Sequence, residues 1–216
     1  MVPPLSAENR EWWHMFLADN QEVPPIFPIA CIGGSAGSLA AYVDILRQIP
    51  AQAGIAIVIV SHRAPNDAGR FLILLAKATK MEVVEATDGM LLEPGRIFVA
   101  PPHRGITTDG AVLRVAVTLT QNHGWPTVIS DFMFSLATMC ASRAIAIVVS
   151  GMGHDGSTAL AAVKKRGGWT LAQSDAQWLD MPLAAIHTTY IDLILTAKEI
   201  GSYLASLSTH LRSNIP

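Results

Sequence analysis

The sequence predicts an α/β fold with a mostly parallel central sheet and helices on both faces, a doubly wound, Rossmann-like, three-layer arrangement. Two apolar runs indicate the sheet, Ile55–Val60 (IAIVIV) and Ile145–Val149 (IAIVV). Continuous β-branched runs of this kind are typical of strands buried on both faces. Such runs alternate along the chain with segments of helical pattern, which is the signature of βαβ units.

Each further element follows from its local pattern. The predicted elements, in chain order, are a strand over 29–32, a helix over 39–49, a strand over 55–60, a helix over 71–80, strands over 82–86 and 96–100, a helix over 131–143, a strand over 145–149, a helix over 157–166, strands over 169–172 and 190–195, and a helix over 197–211. Asp109-Gly110 separates two strand-like stretches, so we expect a hairpin insertion around residues 96–116.

Length and composition predict one domain with a short arm ahead of it. The chain has 216 residues, 50% hydrophobic and 15% charged, which suits a single sizeable core. Prolines bracket residues 1–25, which we interpret as an N-terminal arm, with the domain over 26–216. Trp12 and Trp13 in the arm suit either a short helix that covers the core or a docking segment for a partner.

Charge and cysteine content exclude several classes of function. The formal net charge of −2 gives no reason to expect a nucleic-acid partner. No apolar run reaches the roughly 18 residues that span a membrane, and the N-terminus lacks the order of a signal peptide, so we expect a cytoplasmic protein. Cys31 and Cys140 are far apart in the sequence, and we interpret both as reduced thiols, without a disulfide or a metal site.

Three reactive side chains follow three predicted strands at the points where those strands end. Ser35 follows the first strand, His62 follows IAIVIVS, and Asp155 lies in SGMGHDG after IAIVV. The carboxyl ends of parallel strands share one edge of a sheet, and ligands bind there in open α/β folds. A serine, a histidine and a carboxylate at that edge match the nucleophile, base and orienting acid of a serine hydrolase.

The glycine-rich stretch IGGSAGS fits a nucleophile turn better than a phosphate cradle. In a dinucleotide fingerprint, glycines would stand where Ser35 and Ser38 are, and a carboxylate would follow the second strand, where Ser61-His62 stands instead. No Lys-Ser or Lys-Thr follows the glycines, so a P-loop is also excluded. Gly33–Gly37 fits G-x-S-x-G, although a serine at such a junction could also be a simple helix cap.

Six blocks together resemble the catalytic domain of chemotaxis protein-glutamate methylesterases, the CheB family, over roughly residues 28–200. The blocks, which occur in the family's order, are IGGSAGS, IVIVSHR, EATDGMLLEPGRIFVAPPH, VVSGMGHDGSTAL, GGWTLAQSDA and MPLAAI. The resemblance implies hydrolysis of glutamate γ-methyl esters on the cytoplasmic helices of methylated chemoreceptors, with release of methanol. It also implies that glutamine deamidation is possible, and it implies no metal or organic cofactor.

The resemblance also implies a role for each matching residue. Ser35 would be the nucleophile, His62 the general base and acid, and Asp155 the orienting carboxylate. The backbone N–H of Met152 would help to form the oxyanion hole. The remaining expected oxyanion and substrate-binding residues are Ala36, Gly151, Gly153 and His103, the last of which could equally be a turn residue.

Departures from the family's pattern leave the substrate open. The residue after the nucleophile, commonly Thr, is Ala36, and the residue before the histidine, often Gln, is Ser61. Only 28 residues precede the first predicted strand, so we expect no receiver domain within these 216 residues. Two alternatives remain at this point: an esterase or glutamine deamidase that acts on another substrate, and a binding module with a vestigial triad. The sequence does not indicate an oligomeric state.

Overall fold

In a computed structural model of the chain, residues 25–63, 68–116, 121–122 and 125–213 are described. The predicted N-terminal arm, with Trp12 and Trp13, lies outside the described residues except for Pro25. Strands and helices between residues 29 and 213 alternate as the sequence predicts, except over residues 82–126, where six strands follow one another.

Seven strands form one central sheet in which every neighbouring pair is parallel. The strands of this sheet are β1 (Ile29–Gly34), β2 (Ala56–Ser61), β3 (Glu82–Glu85), β4 (Arg96–Val99), β9 (Ala144–Val148), β10 (Trp169–Gln173) and β11 (Leu193–Leu195). Their order across the sheet is β11-β10-β9-β1-β2-β4-β3. The chain therefore builds outward from β1 in one direction and from β9 in the other, so the strand order reverses between β1 and β9.

Helices cover both faces of the sheet, which confirms the predicted three-layer α/β class. The helices are α1 (Ser38–Leu46), α2 (Ala68–Ala78), α3 (Val128–Cys140), α4 (Leu160–Lys165), α5 (Asp180–His187) and α6 (Ala197–Ser213). Short 3-10 turns stand next to two of them, Ala141–Arg143 after α3 and Ser157–Ala159 before α4. Helix α5 and the strands β7 (Gln121–Asn122) and β8 (Trp125–Pro126) are elements that the sequence analysis missed.

Side chains of the central strands alternate between two separate cores. In β1, Ile29 and Cys31 pack on the side of α3, α4 and α5, whereas Ala30 and Ile32 pack on the side of α1, α2 and α6. The same period of two, which the pleat of a strand imposes, continues through β2 and β9. In β9, Ala144 and Ala146 face α3, and these small side chains let that helix lie close to the sheet.

The hairpin insertion is narrower than the sequence suggested. Strands β5 (Ile106–Asp109) and β6 (Val112–Val115) pair antiparallel around Asp109-Gly110, as predicted. The stretch Arg96–Val99, which fell within the insertion predicted around 96–116, pairs with β2 and β3 in the central sheet. Its four residues are too few for an apolar run to distinguish a central strand from a hairpin arm.

Candidate active site

The three predicted reactive residues all follow the carboxyl ends of β1, β2 and β9. In the sheet, Gly34 pairs with Ser61, and Gly33 pairs with Val148. Main-chain pairing thus brings Ser35, His62 and the Ser150–Asp155 turn to one edge, at the reversal of strand order where ligands bind in folds of this kind.

Ser35 is held by its backbone in the turn between β1 and α1. Its N–H donates to the Ser150 carbonyl at 2.9 Å, and its carbonyl accepts the Ser38 hydroxyl at 2.6 Å. Gly37 follows with a φ of +70°, a left-handed conformation that favours glycine and turns the chain into the helix. Within the described residues the Ser35 hydroxyl makes no hydrogen bond. The hydrogen bond between a serine nucleophile and its histidine base is often long or poorly aligned until substrate binds.

His62 lies beside this turn and pairs with Asp155. The backbone N–H of His62 donates to the Gly34 carbonyl at 3.3 Å, which fixes the histidine next to the serine turn. On the ring, Nε2 lies 2.8 Å from Oδ2 of Asp155. A carboxylate accepts and does not donate, so this contact assigns the ring proton to Nε2 and leaves Nδ1 as the basic nitrogen.

Asp155 is a buried carboxylate whose two oxygens are both fully engaged. Oδ2 accepts the Ile129 N–H at 3.0 Å in addition to the histidine. Oδ1 accepts the Ser130 N–H at 3.0 Å, the Ser130 hydroxyl at 2.7 Å and the Gly156 N–H at 2.8 Å. Burial by itself raises the pKa of the Asp155 carboxyl, but the hydrogen bonds from His62, Ser130 and the backbone outweigh it and lower the pKa below its ordinary value. The group is therefore an anion at neutral pH.

The start of α3 supplies most of these donors. Ile129 and Ser130 occupy its first turn, where backbone N–H groups have no partner inside the helix. Asp155 accepts these N–H groups from a distant part of the chain and so acts as a cap, and the positive end of the helix dipole favours its negative charge. Ser130 also links the cap to its surroundings, because its hydroxyl accepts the Gly156 N–H at 2.8 Å and the Thr158 hydroxyl at 3.0 Å.

The turn after β9 presents backbone donors next to Ser35. A Cβ on Gly151 would lie 2.1 Å from the Met181 sulfur and 3.0 Å from the Ser35 Cβ, so only glycine fits between them. The backbone N–H groups of Met152 and Ala36 make no hydrogen bond within the described residues, as an oxyanion hole requires of its donors. Gly153 has a φ of +84°, which continues the tight turn toward Asp155.

A cleft of about 300 Å³ opens on the side of His62 toward β4. Its lining includes Arg63, Pro101, His103 and Arg104, and Ser35 is not part of it. His103 is exposed and has a φ of +55°, so it is both a turn residue and a cleft residue. Arg63 is fixed there, since it donates to the Ala100 carbonyl at 2.6 Å and stacks on the Phe71 ring at 4.2 Å.

The described parts of the chain hold neither a candidate metal site nor a membrane-spanning helix. There, no group of three or more His, Cys, Asp or Glu side chains is placed to hold a metal ion. Nor does any helix there have the length and apolar character needed to cross a membrane.

Several residues of the site were missing from the sequence analysis. Ser130 was not predicted because a serine in a helical pattern carries no signal, and its partner Asp155 is 25 positions away in the sequence. Trp178 lies two residues before α5, a helix that was not predicted, and Met181, noted only as part of the MPLAAI block, lies in its first turn. The Asp180-Met181-Pro182 stretch is a recognisable start of a helix, because proline is well tolerated in the first turn, and it could have revealed this element.

Fold and site together define an α/β domain with an imidazole–carboxylate pair beside a serine turn at the reversal of strand order. The chain belongs to the CheB methylesterase family, whose model matches residues 30–204.

Curated relatives and a solved structure agree with that membership. A protein-glutamate methylesterase/protein-glutamine glutaminase of Anaeromyxobacter dehalogenans is 34% identical over 206 residues, which cover 90% of this chain and 58% of that protein. Its namesake from Pyrococcus abyssi is 30% identical, over 92% of this chain and 56% of that protein. The catalytic domain of Thermotoga maritima CheB methylesterase superposes with a TM-score of 0.77 at 26% identity, covering 85% of this chain and all (100%) of that domain. This chain thus spans little more than half the length of these curated relatives.

Proposed function

We propose that the domain over residues 26–216 is a serine hydrolase that converts glutamate γ-methyl esters on chemoreceptors into glutamate and methanol. The observation that supports it most directly is the 2.8 Å pair between His62 Nε2 and Asp155, formed beside the Ser35 turn. The names of the two relatives describe the same reaction in those proteins.

The geometry suggests how each group would act. Ser35 Oγ attacks the ester carbonyl while His62 Nδ1 takes its proton, because Nε2 is occupied by Asp155. The Met152 and Ala36 N–H groups stabilise the oxyanion of the tetrahedral intermediate. His62 then returns the proton to the leaving methoxide, and methanol departs from an acyl-serine. Water attacks that acyl group with the same histidine as base, which releases the glutamate carboxylate and restores Ser35.

The proposed partners are the cytoplasmic helices of methylated chemoreceptors, which would place this activity in the cytoplasm. A second candidate reaction is deamidation of receptor glutamines, since the relatives' names include protein-glutamine glutaminase. It uses the same steps, with ammonia as the leaving group in place of methanol. Ala36 and Ser61 stand where the family commonly has Thr and Gln, so the preference between ester and amide is a matter for measurement.

Methanol release from a methylated receptor fragment tests the proposal. Ser35→Ala should lower kcat by about 10⁴-fold or more, because loss of the nucleophile disables the whole proton-passing unit. Ammonia release from the same fragment with glutamine at the methylation sites, measured in parallel, separates the two reactions. A Ser35→Ala protein that remains active would refute the mechanism, and a wild-type protein that modifies neither fragment would refute the substrate.

A further inference from the structure

Four large apolar side chains are exposed on the segments that border Ser35 on the β9–β10 side of the sheet. This set, which we call the apolar rim, consists of Met152, Trp178, Leu179 and Leu183. Each is between 42% and 54% exposed. Large apolar side chains that gather beside a reactive group mark a binding surface more often than chance exposure does.

The backbone fixes Trp178 against the serine turn. The backbone N–H of Trp178 donates to the Ser150 hydroxyl at 3.0 Å, and its carbonyl accepts the Gly151 N–H at 3.1 Å. A Cβ on Gly37 would lie 2.9 Å from Cδ1 of the indole ring. The ring therefore lies directly beside the turn that carries Ser35, in a position set by main-chain contacts on both sides of it.

Helix α5 is amphipathic, with one face buried in the core and the other exposed to solvent. Met181 and Ala185 are buried beneath the Gly151 turn and the sheet. Leu179 and Leu183 are four residues apart, joined by a hydrogen bond of 2.8 Å from the Leu183 N–H to the Leu179 carbonyl, so they share the opposite, exposed face. The leucines on that face therefore leave 42–45% of their surface open to solvent.

The rim and the His62 cleft lie on opposite sides of Ser35. The cleft is at the ends of β2 and β4, the rim at the ends of β9 and β10, and β1 with Ser35 runs between them. Strands in a sheet are about 4.8 Å apart, so a ligand that covers the ends from β4 to β10 extends roughly 19 Å. A small ester cannot reach both sides, whereas a polypeptide helix of about 13 residues has that length.

We propose that the apolar rim is the docking surface for the polypeptide segment that carries the ester, and that Trp178 selects substrates with apolar side chains next to the modified residue. This inference rests on the proposed function, because it concerns the substrate of the same site. The rim buries apolar side chains of the segment, and the glutamyl ester enters over Ser35. Aromatic side chains at the centre of an interface commonly provide much of its binding energy.

The test compares three esters with purified protein. The first is a synthetic peptide with one glutamate γ-methyl ester and leucines three and four residues away from it, and the second has serines in place of those leucines. The third is p-nitrophenyl acetate, which is too small to touch the rim while it reacts. We expect kcat/KM to favour the leucine peptide over the serine peptide by about tenfold, the effect of burying one or two apolar side chains.

Trp178→Ala should lower kcat/KM for the leucine peptide by about tenfold more than for p-nitrophenyl acetate, and Leu183→Ser should act in the same direction. Trp169→Ala is the matched control. Trp169 is 44% exposed against 43% for Trp178, but it begins β10 and so lies at the opposite edge of the sheet. This control should keep the preference for the leucine peptide, and thermal unfolding of all the variants confirms that they fold.

Two results would overturn the inference while leaving the proposed function intact. One is equal turnover of both peptides by the wild-type protein, and the other is an equal loss on all three esters in Trp178→Ala. Hydrolysis of p-nitrophenyl acetate through Ser35 without turnover of either peptide would instead contradict the proposed function, and the docking inference with it.

Discussion

Asp155 joins the chemistry of the site to the stability of the fold. Its carboxylate accepts a hydrogen bond from the His62 ring and at the same time caps α3, so five hydrogen bonds end on one side chain. The hydrogen bonds lower its pKa although burial raises it. A carboxyl whose pKa is lowered by folding stabilises the native state above its unfolded pKa, and that contribution is lost as the pH falls through the folded pKa.

Asp155→Asn should therefore show both functions separately. We expect kcat to fall by about 10³–10⁴-fold, since an amide in this place no longer stabilises the imidazolium or sets its tautomer. The free energy of unfolding should also fall at pH 7, and the difference from wild type should shrink below about pH 4, where the unfolded carboxyl takes up its proton. Ester hydrolysis and urea unfolding at several pH values measure the two effects. A difference in unfolding free energy that stays constant down to pH 2 would contradict this account.

At the scale of elements, the N-terminus of α3 stabilises the negative charge of Asp155. Its first turn presents the Ile129 and Ser130 N–H groups to Asp155, and it lies close to the sheet because Gly33 and small residues of β9 face it. A Cβ on Gly33 would lie only 2.3 Å from the Ile129 side chain. The close approach of helix and sheet thus sets the position of the carboxylate.

Ser130→Ala should weaken this arrangement without removing any of the three reacting groups. Loss of the hydroxyl leaves the Gly156 N–H without its Ser130 acceptor and deletes one donor to Asp155, at a cost of about 1–3 kcal/mol in unfolding free energy. The acid-induced loss of unfolding free energy that comes from Asp155 should be complete at a higher pH than in wild type, because Asp155 loses a bond that lowers its folded pKa.

Ser135→Ala, on the same helix, is the control for that variant. The Ser135 hydroxyl bonds to Phe132 and Thr108, away from the site, so the dependence of the unfolding free energy on acid pH should keep its wild-type position. An unchanged dependence of the unfolding free energy on acid pH in Ser130→Ala would show that the hydroxyl does not act on the Asp155 carboxyl.

Some elements of the fold can be predicted from the sequence and others cannot. Strands β1, β2 and β9 were predicted because burial on both faces demands continuous apolar residues, and these also place Ser35, His62 and Asp155 at one edge. The pattern does not show that Arg96–Val99 joins the central sheet, because an apolar run of only three residues is common to hairpins and central strands. Ser130 and the α5 contacts were beyond prediction since they depend on pairing between segments that are remote in sequence.

On the scale of the whole molecule, the core between the sheet and helices α3, α4 and α5 encloses both cysteines. Cys31 in β1 and Cys140 at the end of α3 are free thiols and buried. Burial raises the pKa of Cys31 well above its ordinary value, with the Asp155 charge adding to the effect, and burial raises the pKa of Cys140 to about 12. Both thiols are thus protonated and shielded in the native protein, and neither is a candidate nucleophile.

Native protein should therefore resist iodoacetamide at pH 8, whereas protein in denaturant should take up two labels per chain. With excess reagent, the labelling rate of Cys31 should respond to urea in proportion to the global unfolding equilibrium, because β1 is the central strand of the sheet. Mass spectrometry of each cysteine peptide measures this. Rapid labelling of Cys31 under native conditions would show a local opening of β1 and would contradict the two-core packing.

The three groups proposed to react come from distant parts of the chain, so the proposed ester hydrolysis should report on the progress of refolding. Residues 35, 62 and 155 come from three strands whose alignment requires ladders between distant parts of the chain. Such long-range pairings form late and slowly compared with helices. Ester hydrolysis during dilution from denaturant should consequently lag behind the recovery of helical circular dichroism, and the lag reports the moment at which the ladders between β1, β2 and β9 close.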